Sequence, residues 1–202
     1  MSPQTRQVWK RRIAKYSRWL HLYVSMASFV IVFFFAVTGI TLNHAERFSG
    51  AEHLTQKTGS VNPAWTKTGS AEVAKSEIVA FLEQTEHLSG ALGDFRVDDA
   101  QVAVAFKGPG YAADIVIDRN TGKYDLTESR LGFVAIVNDL HKGRDTGAIW
   151  RWAIDASAIL LTLVSLTGLT LIYFIHKHRT SGLVLLGMGA LIAWLMYVAW
   201  VP

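Results

Sequence analysis

Hydrophobic positions along the chain gather in three blocks, Trp19 to Asn43, Trp152 to Ile175 and Leu183 to Val201. Each runs for about 19 residues or more without a Lys or Arg, which as a helix crosses roughly 30 Å of hydrocarbon. Only a helix satisfies its own backbone in that medium, so the pattern predicts three membrane spans. They divide the sequence into a basic N-terminal segment (residues 1–18), a first span (19–43), a long polar insert (44–147), a second span (150–175), a short loop (176–182) and a third span (183–201).

Inside the insert the periodicities are shorter. Val73, Ile78, Phe81 and Leu82 recur at helical spacing within Ala71 to Gln84. Val102, Val104 and Phe106 alternate, as do Tyr111, Ala113, Ile115 and Ile117 after a Lys107-Gly108-Pro109-Gly110 turn. Asp118-Arg119-Asn120-Thr121-Gly122 predicts a hairpin, because Asn and Gly tolerate positive φ, and Lys123 to Thr127 the returning strand. A helix from Ser129 to about Leu140 is expected next, and Gly59-Ser60, Asn62-Pro63 and Gly69-Ser70 mark a flexible lead-in. The expected fold is a membrane α-helical protein of three transmembrane helices with one inserted α+β domain.

Charge orients these pieces. Lys10, Arg11, Arg12, Lys15 and Arg18 abut the first span, and His176-Lys177-His178-Arg179 fill the loop after the second. By the positive-inside rule both face the cytoplasm, so the insert and Pro202 face the periplasm of a bacterial inner membrane. The net charge of +4 is thereby assigned to the lipid boundary and not to nucleic acid. A basic stretch before an apolar run also has the outline of a cleaved export signal. This run is too long, and Val37-Thr38-Gly39-Ile40-Thr41-Leu42 lacks a small-x-small cleavage site, so a retained anchor is expected. Trp19, Tyr23, Trp150, Trp152, Tyr173, Trp194, Tyr197 and Trp200 form an interfacial aromatic belt. The chain has no cysteine, which excludes disulfides and Cys-ligated zinc or iron–sulfur sites. It also lacks a Gly-x-Gly-x-x-Gly fingerprint for a nicotinamide or flavin.

Histidine is the remaining chemistry. Of seven, four lie at span ends: His21 and His176 on the expected cytoplasmic side, His44 and His141 on the periplasmic side. Neutral imidazole is the usual ligand of a membrane-embedded haem iron, which takes one axial ligand on each face of the ring. At 100° per residue, His21 aligns with Ser25, Ser28, Val32, Ala36, Gly39 and Asn43, while Phe29, Phe33 and Phe34 fall largely elsewhere. His176 aligns with Leu169, Ser165, Thr162, Ala158 and Asp155. Small residues beside a histidine leave room for a flat macrocycle, and they equally let two helices pack closely; both readings stand on the pattern alone. His21 and His44 are separated by about 34 Å of helix and belong to different levels. The pairs would be His21 with His176 and His44 with His141. Asp155, costly inside a span, reads either as a hydrogen-bond acceptor for a ligand imidazole or as the partner of Arg151. His53 and His87 lie in polar stretches and are expected to be solvated, and Met26, Met188 and Met196 to pack or face lipid.

The segment Trp19-Leu20-His21 to Thr38-Gly39-Ile40-Thr41-Leu42 resembles the first helix of the PepSY-associated transmembrane proteins. Leu140-His141-Lys142-Gly143 through Thr167-Gly168-Leu169-Thr170-Leu171 is similar to their next membrane unit, and the repeated Thr-Gly-aliphatic-Thr-Leu string makes a faint inverted repeat. Ile115-Val116-Ile117-Asp118 with Thr121-Gly122-Lys123 resembles the strand and turn of a PepSY domain. Several members of that family are inner-membrane haem proteins that reduce ferric iron or ferric siderophores for ferrous uptake. The resemblance implies haem b, one or two per protomer or shared across a dimer, with His21, His44, His141 and His176 as axial ligands. It also implies an oxidoreductase served by a quinol or a cytoplasmic reductase as donor. Its substrate would be ferric iron or a ferric chelate, near oxygen ligands such as Asp139 or Asp145. Three spans make a poor cage for a macrocycle, so a homodimer in the lipid is expected, with Gly182, Gly187 and Gly189 permitting close contact. The competing expectation is a non-enzymatic module whose PepSY-like domain binds or regulates a periplasmic partner protein. A transporter is disfavoured, since Asp155 is the one acidic residue within the spans.

Overall fold

The computed structural model describes residues 3–48, 52–66, 73–174 and 178–202. In chain order the elements are α1 (Pro3–Asn43), α2 (Ala45–Phe48), β1 (His53–Ser60), α3 (Pro63–Thr66), α4 (Lys75–Glu86) and β2 (Ala91–Val97). They continue with β3 (Gln101–Gly108), β4 (Tyr111–Asp118), β5 (Lys123–Arg130), α5 (Phe133–Lys142), α6 (Gly147–Ile172) and α7 (Arg179–Trp200). Two compact units result, one of Met1–Phe33 with Asp155–Pro202, the other Phe34–Ile154.

Three helices, α1, α6 and α7, are long and apolar enough to cross a membrane, with mean hydropathies of 2.2, 1.8 and 2.1. Helix α1 begins at Pro3, so the basic residues expected as a segment ahead of the span are themselves helical. Its covered side follows two heptad series, Ala14, His21, Ser28, Phe35, Leu42 and Ser17, Val24, Ile31, Thr38. That period of 3.5 differs from an ideal helix by about 20° per heptad, and is the period at which side chains interdigitate along a seam. The drift corrects the stripe expected at 100°: Val32, Ala36 and Asn43 are exposed, whereas Phe34 and Phe35 lie on the covered side.

In α6 the covered positions are Trp150, Ile154, Ser157, Leu161, Val164, Gly168 and Leu171. The stripe expected on this helix lies off the covered side: Asp155, Ala158, Thr162, Ser165 and Leu169 are all exposed. The helix ends at Ile172, and His176, from which that stripe was counted, lies outside the described residues. Helix α7 has no buried residue.

The other unit holds a five-stranded antiparallel sheet in the order β1-β5-β4-β3-β2. Alternation places Val102, Val104 and Phe106 of β3, Ala113, Ile115 and Ile117 of β4, and Tyr124 and Leu126 of β5 on one face. Ile78 and Leu82 of α4 cover that face, and the other carries mainly polar and small residues. A bulge between Leu92 and Asp94 turns both Leu92 and Phe95 of β2 toward the core. The fold is thus the expected one, three membrane helices with an inserted α+β domain, but local boundaries differ. Gly59-Ser60 end strand β1 instead of forming a loose lead-in, and Gly69-Ser70 lie outside the described residues. Helix α4 starts at Lys75. Ser129 and Arg130 pair with Leu54 and His53, which delays the helix expected from Ser129 until Phe133.

Gly59 sits opposite Tyr124, and a Cβ there would overlap the tyrosine ring and hydroxyl. The ring crosses this gap and its hydroxyl donates to Glu86 Oε1 at 2.5 Å, while Lys57 Nζ donates to Oε2 at 3.0 Å. The Tyr124 hydrogen bond, aided by Lys57, holds the Glu86 carboxyl below its ordinary range despite burial. Burial first, and then the neighbouring carboxylate, push the Tyr124 phenol up to about 12. A phenol raised on folding contributes stability that is complete below its unfolded pKa near 10 and is lost as pH rises through the folded value. Thermal unfolding followed against pH is expected to hold level to about pH 10 and then fall, with Tyr124→Phe making that alkaline decline shallower. An identical decline in the variant would refute the assignment.

Candidate functional site

His21, on the covered side of α1, places Nδ1 3.2 Å from the Val164 carbonyl and 3.0 Å from Thr167 Oγ1. A carbonyl only accepts, so Nδ1 carries the hydrogen. The Thr167 hydroxyl spends its own proton on the Leu163 or Val164 carbonyl, at 2.7 and 3.0 Å, and so turns a lone pair to the imidazole. This arrangement fixes the tautomer and leaves the Nε2 lone pair without a hydrogen-bond partner among the described residues. Beside Thr167, Gly168 lies under the ring edge: a Cβ there would come within 3.2 Å of His21 Cε1. His21 also lines a largely apolar cavity of about 750 Å³, walled by Gly168, Leu169, Ile172, Leu185 and Gly189 among others.

In the other unit the same chemistry recurs. His141, in the last turn of α5, has Nδ1 2.7 Å from Thr38 Oγ1, and the Thr38 hydroxyl donates to the Phe34 carbonyl at 2.7 Å. With the Thr38 proton on that carbonyl, Nδ1 is the donor and Nε2 keeps its lone pair. Gly39 lies under the ring edge, 3.6 Å from an added Cβ to His141 Cε1, and Phe35 packs edge-on with centroids 5.0 Å apart. Helix α5 is held in place by the Thr41 hydroxyl on Asn138 Oδ1 at 2.8 Å and by Trp150 Nε1 on the Leu140 carbonyl at 2.8 Å. Gly143, at φ 68°, closes the helix just after His141.

The Thr-Gly pairs of the two repeated strings are thus histidine docks, Thr38-Gly39 for His141 and Thr167-Gly168 for His21. The sequence pattern placed Gly39 in the stripe aligned with His21 and gave Thr38, Thr167 and Gly168 no role beyond the repeated strings. The available signal was the repetition itself, a hydroxyl and a glycine recurring together inside two spans.

The other expected site residues are placed differently. His44 is a partly exposed turn residue between α1 and α2, with Nδ1 4.0 Å from Glu46 Oε1. Helix α2 packs on α5, the element that carries His141, although no hydrogen bond or ring contact joins the two histidines among the described residues. His176 lies outside the described residues, as does Lys177. Asp155 is exposed and makes no hydrogen bond or ion pair among the described residues, so neither expected partnership, with an imidazole or with Arg151, is formed. Threonine hydroxyls hold the imidazoles of His21 and His141 instead. The Asp139 carboxylate accepts the Gly110 N–H at 2.9 Å and so steadies the β3–β4 turn. No three His, Cys, Asp or Glu side chains cluster among the described residues, and the donors on offer for a metal are single oriented imidazoles. A pre-oriented imidazole beside an apolar, glycine-walled cavity within the range of about 300–1,000 Å³ typical of small-molecule pockets fits a haem bound by histidine.

A sequence profile of the PepSY_TM-like family matches residues 15–202. No curated protein and no solved structure matches the chain.

Proposed function

For a chain that belongs to the PepSY_TM-like family, we propose the function of a haem b electron-transfer protein of the bacterial inner membrane. It reduces ferric iron, free, chelated or siderophore-bound, at the periplasmic side in support of ferrous uptake. The observation that carries this reading is the duplicated dock, two imidazoles whose Nδ1 is held by a threonine hydroxyl, an arrangement that leaves Nε2 to ligate. A metal-ligating histidine characteristically donates its other ring N–H to a fixed acceptor, and a hydroxyl or carbonyl acceptor does this without adding a charge to the bilayer.

Haem b supplies a one-electron iron(III)/iron(II) couple when bound. His21 and His176 would hold one such group, and His141 and His44 a second. Thr167 and Thr38 keep each ring from turning, and Gly168 and Gly39 let the imidazole edge lie against the helix. The apolar lining near His21 would give a porphyrin an apolar face to lie against. With the basic residues at the cytoplasmic surface, the donor is a quinol or a cytoplasmic reductase. A homodimer suits the exposure of α7, whose surface is left for lipid or for a second copy.

The visible spectrum of protein purified in detergent from haem-replete cells tests the reading. A Soret band that shifts and sharpens on dithionite reduction, with b-type α and β bands, is expected. A colourless preparation would favour the non-enzymatic alternative, a membrane module whose sheet domain binds a periplasmic protein.

A further inference from the structure

The first half of α1, the residues just after α6 and the first residue of α7 border a second, open cavity of about 600 Å³, lined by Lys10, Arg11, Arg18 and Arg179. Gln7 joins these four cations, and Ala14, Tyr173 and Phe174 supply an apolar wall. The Arg179 guanidinium is held 4.9 Å above the Tyr173 ring. None of the four cations makes an ion pair or side-chain hydrogen bond to protein among the described residues.

The imbalance extends through the whole unit. Its sequence holds eight of the chain's Lys and Arg but only Asp155 of its Asp and Glu. Asp155 lies 17 residues before the end of α6, a separation of about 25 Å by helix rise and well beyond a Debye length of roughly 8–10 Å. Four cations around one cavity repel one another, and the one Asp or Glu of their own unit is too distant to offset them. Three of them are arginines, whose planar forks match phosphate oxygens two at a time. The aromatic wall gives the same cavity a place for the organic part of a ligand.

We propose that this cavity binds a phosphate anion carried on an organic group, either the headgroup of an anionic phospholipid or a soluble phosphate compound. The charge, the fork geometry and the apolar wall are independent of any haem elsewhere in the chain. Basic pockets between transmembrane helices are known to take lipid headgroups, so the lipid source must be separated from the soluble one by experiment.

The full chain is placed in nanodiscs of phosphatidylcholine alone or with phosphatidylglycerol, and lipid retained per protomer is read by native mass spectrometry. In parallel, detergent-purified protein is titrated calorimetrically with inorganic pyrophosphate. Selective retention of phosphatidylglycerol identifies a lipid ligand; saturable pyrophosphate binding without lipid selectivity identifies a soluble one. Arg11→Gln with Arg18→Gln is expected to weaken whichever binding is seen by roughly 30-fold, at about fivefold for each basic side chain removed. Lys10→Gln with Arg179→Gln, on other parts of the wall, is expected to do the same, which keeps the test decisive should the first pair fail to fold. Absence of both selectivities, or unchanged binding in a folded variant pair, overturns the proposal.

Discussion

Thr167→Val is expected to weaken haem binding by about 10–100-fold, the usual penalty for removing the group that orients a metal-ligating histidine. Valine keeps the shape of threonine but offers no oxygen, so His21 Nδ1 retains only the Val164 carbonyl at 3.2 Å. The ring is then held by one longer contact, and the direction of Nε2 is less firmly fixed. Thr170→Val is the control, since the Thr170 hydroxyl bonds back to the Leu166 carbonyl at 2.7 Å and touches no imidazole. Gly168→Leu should have an effect at least as large, because its side chain would occupy the space beside His21 Cε1. Haem per protomer and haemin titrations measure these changes, with the fold followed by circular dichroism. His21→Ala, His44→Ala, His141→Ala and His176→Ala should each lower haem content, and full content in all four variants would remove the ligand assignment.

The largest effect on stability is expected in the sheet domain. Phe106 is fully buried on β3, between β2 and β4 and beneath α4. Phe106→Ala should cost about 3–5 kcal/mol through lost burial and the cavity left behind. That is a large part of the roughly 5–15 kcal/mol that holds a domain folded. Hydrogen exchange on the whole protein in detergent should show amide protection falling across β2, β3 and β4 while the apolar centres of α6 and α7 keep theirs. A loss of less than about 1 kcal/mol would mean that the core relaxes around the deletion.

The three spans were legible because lipid imposes a length and composition that a sequence shows directly. The Asp118 to Gly122 turn was equally plain: Asp118 Oδ1 accepts the backbone N–H groups of Asn120 and Thr121 at 3.0 and 2.8 Å, and Gly122 takes φ 71°. Strand β1 was missed because His53–Ser60 is polar and almost wholly exposed, so its conformation comes from pairing with β5 and not from a local pattern. The face of α1 was misjudged by a small error of phase that grows with distance from His21, and that of α6 because its stripe was counted from a residue beyond the helix end at Ile172. At the site, histidines announced themselves by residue type. Their threonine docks did not, since a hydroxyl inside a span ordinarily bonds back to its own helix and its distant partner leaves no local trace.

Sequence separation in the first dock sets a timetable for biogenesis. His21 precedes Thr167 by 146 residues, which at ribosomal speeds of about 5–20 residues per second means a delay of roughly 7–30 s. Through that interval the sheet domain is synthesised while the imidazole has nothing to turn it. On the proposed haem reading, productive capture by His21 would belong to a late stage, after the second span has entered the bilayer.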